Sequence, residues 1–378
     1  MQDNKMGKVM YRNDVAIYAP FSRGYYDRAR GRAGGAERQM VLLARALAAE
    51  GHRVAHIVYP PSDPVALPDT KLTLIHRGAY AGDRVVVGRV LEAVRVWRAL
   101  RRADGRVVIV RTGSPAVGIT ALFSKLHRRR FIFSSANNSD FTTPRISSWL
   151  SKGIYRLGVR LADVVVVQSD DQLKLARQTF PVLRRIVHIP SFVEPAPQST
   201  GDEDHASMFL WIGRAAPEKQ PIRYIELARA LPGARFAMIP VPEGGASSVE
   251  QIRASAQDVP NLQLFEPVPH DELMCLLQRA VAVVNTSQTE GMPNVFLEAW
   301  ARGIPVLTLE FDADGVIEQR RLGVAARGSW DRFVAGAREL WEARDRREEL
   351  SRSARAYIES VHSPGAVAIR WSELISRI

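Results

Sequence analysis

VAVVNTSQTEGMPNVFLEA, residues 281–299, passes from an apolar β-branched run through a polar loop into a helix-forming stretch. Val281–Asn285 reads as a strand buried on both faces, because its apolar residues run together instead of alternating. Gly291 permits a close backbone approach, and Pro293 stands near the start of the next helix, where its missing N–H would be unused anyway. Strand, short loop and helix in this order form the repeating unit of a parallel α/β sheet.

The same alternation extends in both directions. Upstream, strands fit Val15–Ala19, Arg53–Val58, Leu72–Ile75, Val107–Val110, Phe131–Ser135 and Val164–Gln168. Helical patterns fit Ala36–Glu50, Val86–Arg102, Ser147–Leu161 and Asp170–Thr179. EPAPQSTGDEDHAS, residues 194–207, then combines Pro, Ser, Gly and acidic residues without periodicity and reads as a linker. The alternation restarts with strands Met208–Ile212, Arg235–Ile239, Leu262–Phe265, Val281–Asn285 and Pro305–Leu309. Helices at Gln220–Ala230, Ser248–Gln257, Asp271–Arg279 and Asn294–Arg302 separate them. Ser329–Ser360 is a charged helical region, and Pro364–Ile378 a last helix. The expected organisation is an N-terminal domain over 1–193, a linker over 194–207, a second domain over 208–360, and a C-terminal segment over 361–378 that packs back toward the first domain.

Two domains also suit 378 residues, since a domain commonly holds roughly 100–200. With 46% hydrophobic and 24% charged residues the chain has an ordinary globular composition. Its longest apolar runs fall far short of the roughly 18–20 residues of a membrane span. The N-terminal MQDNKMGKVMYRND shows no apolar h-region, and the single cysteine, Cys275, has no partner for a disulfide. Both point to the cytoplasm, with Cys275 expected as a small apolar residue of a helix.

Charge is unevenly divided. Residues 1–200 carry 32 Lys+Arg against 15 Asp+Glu, whereas the remainder carries 20 against 25. A basic half suits an acceptor bearing phosphates, the anionic inner face of the cytoplasmic membrane, or nucleic acid. No aromatic-and-basic stacking motif of the RNA-recognition type is present, so no nucleic acid is expected.

Three motifs follow strands. GRAGGAERQ, residues 31–39, opens the first helix, where glycines and helix N-terminal amides suit an anion or a polar acceptor group, although the full GxGxxG spacing is absent. GRAAPEK, residues 213–219, places Arg214 and Lys219 at the carboxyl edge of the second sheet, where two cations can neutralise a diphosphate. In the third, Glu290 lies in the loop and Glu298 one turn inside the helix, and carboxylates accept hydrogen bonds from vicinal hydroxyls.

With GGAERQ, GRAAPEK and EGMPNVFLEA in this order and spacing, the chain resembles the family 4 retaining glycosyltransferases of glycosyltransferase group 1. QSDDQ at 168–172 and ARGIPV at 301–306 are weaker echoes. The resemblance implies a GT-B fold, two Rossmann-like parallel-sheet domains facing each other across a cleft. It implies a metal-independent hexosyltransferase that takes a nucleotide-sugar donor and a saccharide or lipid-linked acceptor, as in polysaccharide biosynthesis. Arg214 and Lys219 would then hold the donor diphosphate, Glu290 the donor-sugar hydroxyls and Glu298 the ribose. Backbone around Gly291, Met292, Pro293, Asn294 and Val295 would help at the sugar and phosphates, and Gly34 and Gly35 would approach the diphosphate from the other domain. Arg214, Lys219 and Glu290 are the catalytic candidates, and the leaving phosphate itself would help deprotonate the acceptor.

One departure stands out. Many relatives carry a histidine after the fourth or fifth strand, whereas VRTGSP (110–115) and SSANNSD (134–140) contain none. Asn137, Asn138 and Asp140 are candidates to replace it, or they form an ordinary polar turn. No histidines stand in metal-ligand spacing, and the DxD patterns Asp202-Glu203-Asp204 and Asp312-Ala313-Asp314 read as linker and structural loop, so no metal or other cofactor is expected. A sugar-nucleotide epimerase or a phosphorylase on the same plan is the alternative enzyme.

Overall fold

The computed structural model describes residues 11–27, 34–65, 67, 71–78, 86–111, 113–142, 144, 146, 148–196, 206–243, 247–288 and 290–378. Gly31–Ala33 of the first motif, most of the expected linker and the acidic triplet at 202–204 lie outside these.

The chain forms two compact units, Met1–Pro190 with Val367–Ile378, and Ser191–Ala366. The division falls just ahead of the expected linker because Val193 is already buried in the second unit's core and its N–H bonds the His362 carbonyl at 3.0 Å.

In the first unit the elements follow as β1 (Asn13–Tyr18), α1 (Gly35–Ala49), β2 (Val54–Val58), β3 (Leu72–His76), α2 (Val86–Ala103), β4 (Gly105–Arg111), α3 (Ala116–Leu126), β5 (Arg130–Ser134), α4 (Trp149–Arg160), β6 (Val164–Val167), α5 (Asp170–Thr179) and β7 (Ile186–His188). They build a seven-stranded sheet of order β3-β2-β1-β4-β5-β6-β7, and all its described pairings are parallel. Helices cover the sheet, which is why β2 and β6 are buried at every residue and read as unbroken apolar runs. Strand order reverses between β1 and β4, which opens a switch point at their carboxyl ends.

α3 and β7 are absent from the sequence reading. AVGITALFSKL mixes β-branched residues with Gly118 and looks unlike a helix in isolation. Packing decides: a Cβ on Gly118 would lie 2.3 Å from the Ile154 carbonyl oxygen, and one on Gly158 would lie 2.6 Å from the Gly118 backbone. Glycine at both positions lets α3 and α4 cross at backbone distance.

In the second unit the order is β8 (Met208–Arg214), α6 (Pro221–Ala230), β9 (Phe236–Val241), α7 (Ser247–Ala256), β10 (Leu262–Leu264), α8 (His270–Gln278), β11 (Ala280–Asn285), α9 (Asn294–Ala301), β12 (Val306–Thr308), α10 (Val316–Gln319), β13 (Gly323–Ala325), α11 (Trp330–Glu342) and α12 (Arg344–Tyr357). The last helix, α13 (Pro364–Ser376), crosses the unit boundary. The six-stranded parallel sheet runs β10-β9-β8-β11-β12-β13, with its own switch point between β8 and β11. The charged region 329–360 is two helices broken at Ala343, and Ser329 caps the first by accepting the Arg332 N–H. Cys275 does lie in a helix, α8, but it is exposed and not an apolar filler.

Residues Val367–Ile378 rejoin the first unit. Arg106 donates to the main-chain oxygens of Ile375 and Ile378 at 2.7 Å each, and His52 meets the Ser372 hydroxyl at 3.1 Å.

Candidate functional site

In the second unit the predicted residues gather at the switch point. Arg214 ends β8, Lys219 ends the short 3₁₀ turn Pro217–Lys219, and Glu290 lies in the loop after β11. Gln220 follows Lys219 at φ +47°, a left-handed conformation that turns the chain sharply into α6, whose first residue is Pro221.

The turn and the loop are latched together. Thr286 Oγ1 donates to the Lys219 carbonyl at 2.7 Å and accepts from Trp211 Nε1 at 3.0 Å, while the Gln288 N–H donates to the Glu218 carbonyl at 3.0 Å. These bonds bring Lys219 and Glu290 into a direct ion pair, with side chains 15% and 17% exposed. Glu290 Oε1 also accepts from Ser287 Oγ at 2.9 Å and Asn285 Nδ2 at 3.4 Å. Asn285 in turn accepts the Ser287 N–H at 2.9 Å, which fixes its amide.

Arg214 is held differently. Its guanidinium pairs with Glu243, beyond the end of β9, and with Glu218 at 3.2 Å. Its side chain remains 38% exposed, so solvent and a ligand can both compete for it. Glu298 sits inside α9 at 6% exposure, with Arg302 donating to its main-chain carbonyl at 3.1 Å. Gly291 is buried, and Met292, Pro293, Asn294 and Val295 are half-buried along the approach to α9, with Pro293 as its N-cap residue. The arrangement places two cations, the Glu290 carboxylate and the start of α9 at one sheet edge, a set suited to an anion flanked by a hydroxyl-bearing group.

Sequence reasoning missed Glu218, Glu243, Asn285 and Ser287 as partners. Three of them stand within the quoted motifs and touch near neighbours in sequence, whereas Glu243 reaches Arg214 only because β9 lies beside β8.

Gly34 and Gly35 belong to the first unit, exposed at the start of α1, with Gly34 as N-cap. Of the candidates to replace the missing histidine, Asp140 is committed to structure. It is 4% exposed and accepts the N–H groups of Gly113, Ala136 and Asn137 and the Ser135 hydroxyl at 2.7–3.3 Å. Burial raises its pKa, and those bonds oppose the rise. Asn137 is exposed and accepts the Ser139 hydroxyl, whereas Asn138 Oδ1 is buried without a partner. Asp312 accepts the Ile317 N–H at 3.1 Å, bracing the start of α10. Among the described residues no group of three or more His, Cys, Asp or Glu is placed to hold a metal ion.

Residues 33–196 match the family model described as Glycosyltransferase Family 4, and residues 193–357 match Glycosyl transferases group 1. A curated relative, glycosyltransferase 1 domain-containing protein 1 of Xenopus tropicalis, is 23% identical over 114 residues, 30% of this chain and 33% of that protein. The chain therefore aligns with about a third of that relative's length. Among solved structures, sucrose-phosphate synthase from Thermosynechococcus elongatus superposes with a TM-score of 0.75 at 14% identity, covering 97% of this chain and 99% of that one. Anabaena HepE in complex with UDP and glucose gives 0.71 at 15% identity, covering 97% and 100%. WaaG, a glycosyltransferase involved in lipopolysaccharide biosynthesis, gives 0.68 at 16% identity, covering 96% and 99%. These likenesses establish the GT-B fold.

Proposed function

The chain belongs to the group 1 glycosyltransferases, and from that premise we propose that it transfers a hexose from a nucleotide-sugar donor to a hydroxyl of a saccharide or lipid-linked acceptor, retaining the anomeric configuration. The observation that carries this reading is the placement of Arg214, Lys219 and Glu290 together at the β8/β11 switch point, with Glu298 buried in the helix that follows. The two cations take the donor diphosphate and stabilise charge on the leaving phosphate, so the transfer proceeds without a metal. Glu290, already oriented by Ser287, Asn285 and Lys219, accepts the donor-sugar hydroxyls. Glu298 takes the ribose hydroxyls, and the backbone from Gly291 to Val295 lines the sugar and phosphates. UDP is the first nucleotide to test, because HepE is described in complex with UDP and glucose.

Peripheral attachment to an anionic membrane surface at the cytoplasmic face belongs to the same proposal. α2, α3 and α4 carry nine Lys or Arg and one acid, Glu92. Val87, Val90, Leu126, Trp149 and Leu157 on these helices are exposed, Trp149 at 83%, and Arg95, Arg98, Arg101 and Arg102 line one groove. Cations interleaved with apolar side chains suit a headgroup layer. No helix among the described residues is long and apolar enough to cross a membrane.

The deciding experiment is calorimetric titration of the wild type and Glu298→Ala with UDP-, GDP- and ADP-sugars in EDTA, followed by NMR of the product's anomeric centre. Binding of one nucleotide class by the wild type, weakened in Glu298→Ala, with an unchanged anomeric configuration in the product, supports the reading. Absence of all nucleotide-sugar binding, or inversion at the anomeric carbon, overturns the corresponding part.

A further inference from the structure

The first unit has a switch point of its own, and a cavity of about 320 Å³ lies there. Tyr18 from β1 and Val110 and Arg111 from β4 form its base, with the starts of α1 and α3 and parts of α2 and α4 around it. The wall is largely apolar, with Phe21, Met40, Val96, Ile119 and Ile154 facing the space. A hydroxyl-rich sugar alone is a poor match for such a wall, because each buried hydroxyl needs a partner.

Set in this wall are charged groups of unequal standing. Arg77 is buried and ion-paired: it meets Glu92 at 2.6 Å, donates to the Tyr18 hydroxyl at 2.5 Å, and lies 4.9 Å from the centre of the Tyr59 ring, although its Nε is buried without a hydrogen-bond partner. Glu37 reaches back over Gly34 at the N-terminus of α1, with a carboxylate oxygen 2.6 Å from where a Gly34 Cβ would stand. Arg89 also lines the space. Arg111 differs from Arg77 in having, among the described residues, no carboxylate at ion-pair distance. Its Nη1 donates only a long bond to Ser134 Oγ, 3.3 Å, and its Nε is buried without a partner. No carboxylate among the described residues pairs with it at ion-pair distance, since Asp140, the strongest acidic influence on it, is occupied by backbone donors. Burial lowers its pKa to about 10, which still leaves it cationic at neutral pH. A guanidinium partly withdrawn from water with one weak bond is a group whose desolvation an incoming anion offsets.

We propose that this cavity binds an acceptor presenting one anionic group, phosphate or carboxylate, on an apolar body, and that Arg111 is the side chain that reads the anion. The word acceptor rests on the transferase reading above; the binding chemistry does not. Phosphate on a lipid-like carrier and a simple carboxylate share this chemistry and are separated by probe.

The test is calorimetry on the full chain with octyl phosphate, octanoate, octyl glucoside and inorganic phosphate below micelle concentrations, using the wild type, Arg111→Gln and Arg111→Lys. Octyl phosphate or octanoate is expected to bind at least about tenfold more tightly than octyl glucoside or inorganic phosphate, the scale of one charge-assisted hydrogen bond. The tighter of the two identifies the anion. Arg111→Gln is expected to lose about that factor for the anionic amphiphile and none for octyl glucoside, and Arg111→Lys to recover part of it. Equal binding of glucoside and anion, equal binding of inorganic phosphate and octyl phosphate, or indifference to Arg111→Gln would each overturn the proposal. Titration of the same variants with UDP keeps the two readings apart: UDP affinity unchanged in Arg111→Gln shows an intact second unit. Anionic amphiphile binding without any nucleotide-sugar binding sinks the transferase reading and leaves the cavity assignment standing.

Discussion

Lys219 and Glu290 are ion-paired across the β8/β11 switch point, one at the end of a 3₁₀ turn and the other in a loop, and neither on a regular strand. Each neutralises the other's charge. A ligand that brings a phosphate to Lys219 and a hydroxyl to Glu290 replaces one contact by two. Glu290→Gln keeps the shape and hydrogen-bonding reach but removes the charge. With the donor class found by titration, kcat/KM is expected to fall about 100-fold or more, with nucleoside diphosphate affinity changed only a few-fold, because the loss falls on sugar positioning. An equal fall in both would place Glu290 in general binding instead.

Arg214 gives a prediction of opposite sign. Glu243 and Glu218 occupy its guanidinium at a partly exposed site, where such a pair is worth about 0.2–1 kcal/mol. Glu243→Gln is therefore expected to tighten nucleoside diphosphate binding by about two- to fivefold, while Arg214→Ala weakens it by tenfold or more. Weaker binding in Glu243→Gln would mean that the carboxylate orients Arg214 for the ligand and does not compete for it.

The α3/α4 crossing can be tested apart from function. Gly118→Val drives carbon into the Ile154 carbonyl and is expected to destabilise the first unit by about 1–3 kcal/mol or more. Gly153→Ala, on the same helix pair but with open space around it, serves as the control. Thermal melts followed by circular dichroism separate them; equal melting temperatures would refute the close crossing.

A pH dependence follows from His56. It lies in β2, fully buried, with its Nδ1 2.8 Å from the Tyr26 hydroxyl. Burial, aided by Arg45, lowers its pKa from 6.5 to about 3. The unfolded chain therefore takes up this proton first as pH falls. Stability contributed by the neutral ring is complete above pH 6.5 and is lost between 6.5 and 3, at up to about 1.4 kcal/mol per pH unit. His56→Gln is expected to start less stable and to lose less on going from pH 7 to 5, as read by urea unfolding. Parallel losses in both proteins would assign the acid sensitivity elsewhere.

How much of this was written in the chain depends on the range of the contacts. The placement of Glu290 in a loop and of Glu298 one turn inside the helix after it is legible because the two elements lie close in sequence. The partners of Arg214 and Glu290 were hidden in part because Glu243 comes from another strand, and only the order β9-β8-β11 makes them neighbours. Arg111 stands in VRTGSP, quoted for the histidine it lacks, but nothing there marked the arginine itself. Its standing comes from what fails to surround it, which no motif encodes. β7 and β13 have three residues each, too few for a period to show. α3 was obscured by the glycine that lets it pack, and the exposure of Cys275 ran against the burial tendency of its residue type.

The return of Val367–Ile378 to the first unit sets an order of events during synthesis. Residues up to Pro190 emerge first, yet the groups that engage Arg106 and His52 come from residues made only after the entire second unit. At about 5–20 residues per second, the first unit waits on the order of ten seconds or more for its last helix. During that interval the first unit lacks the helix that carries the buried Trp371, Leu374 and Ile375. A nascent chain of this design therefore has a built-in delay, and a ribosome stalled anywhere in the second unit holds a first unit with one face unfinished.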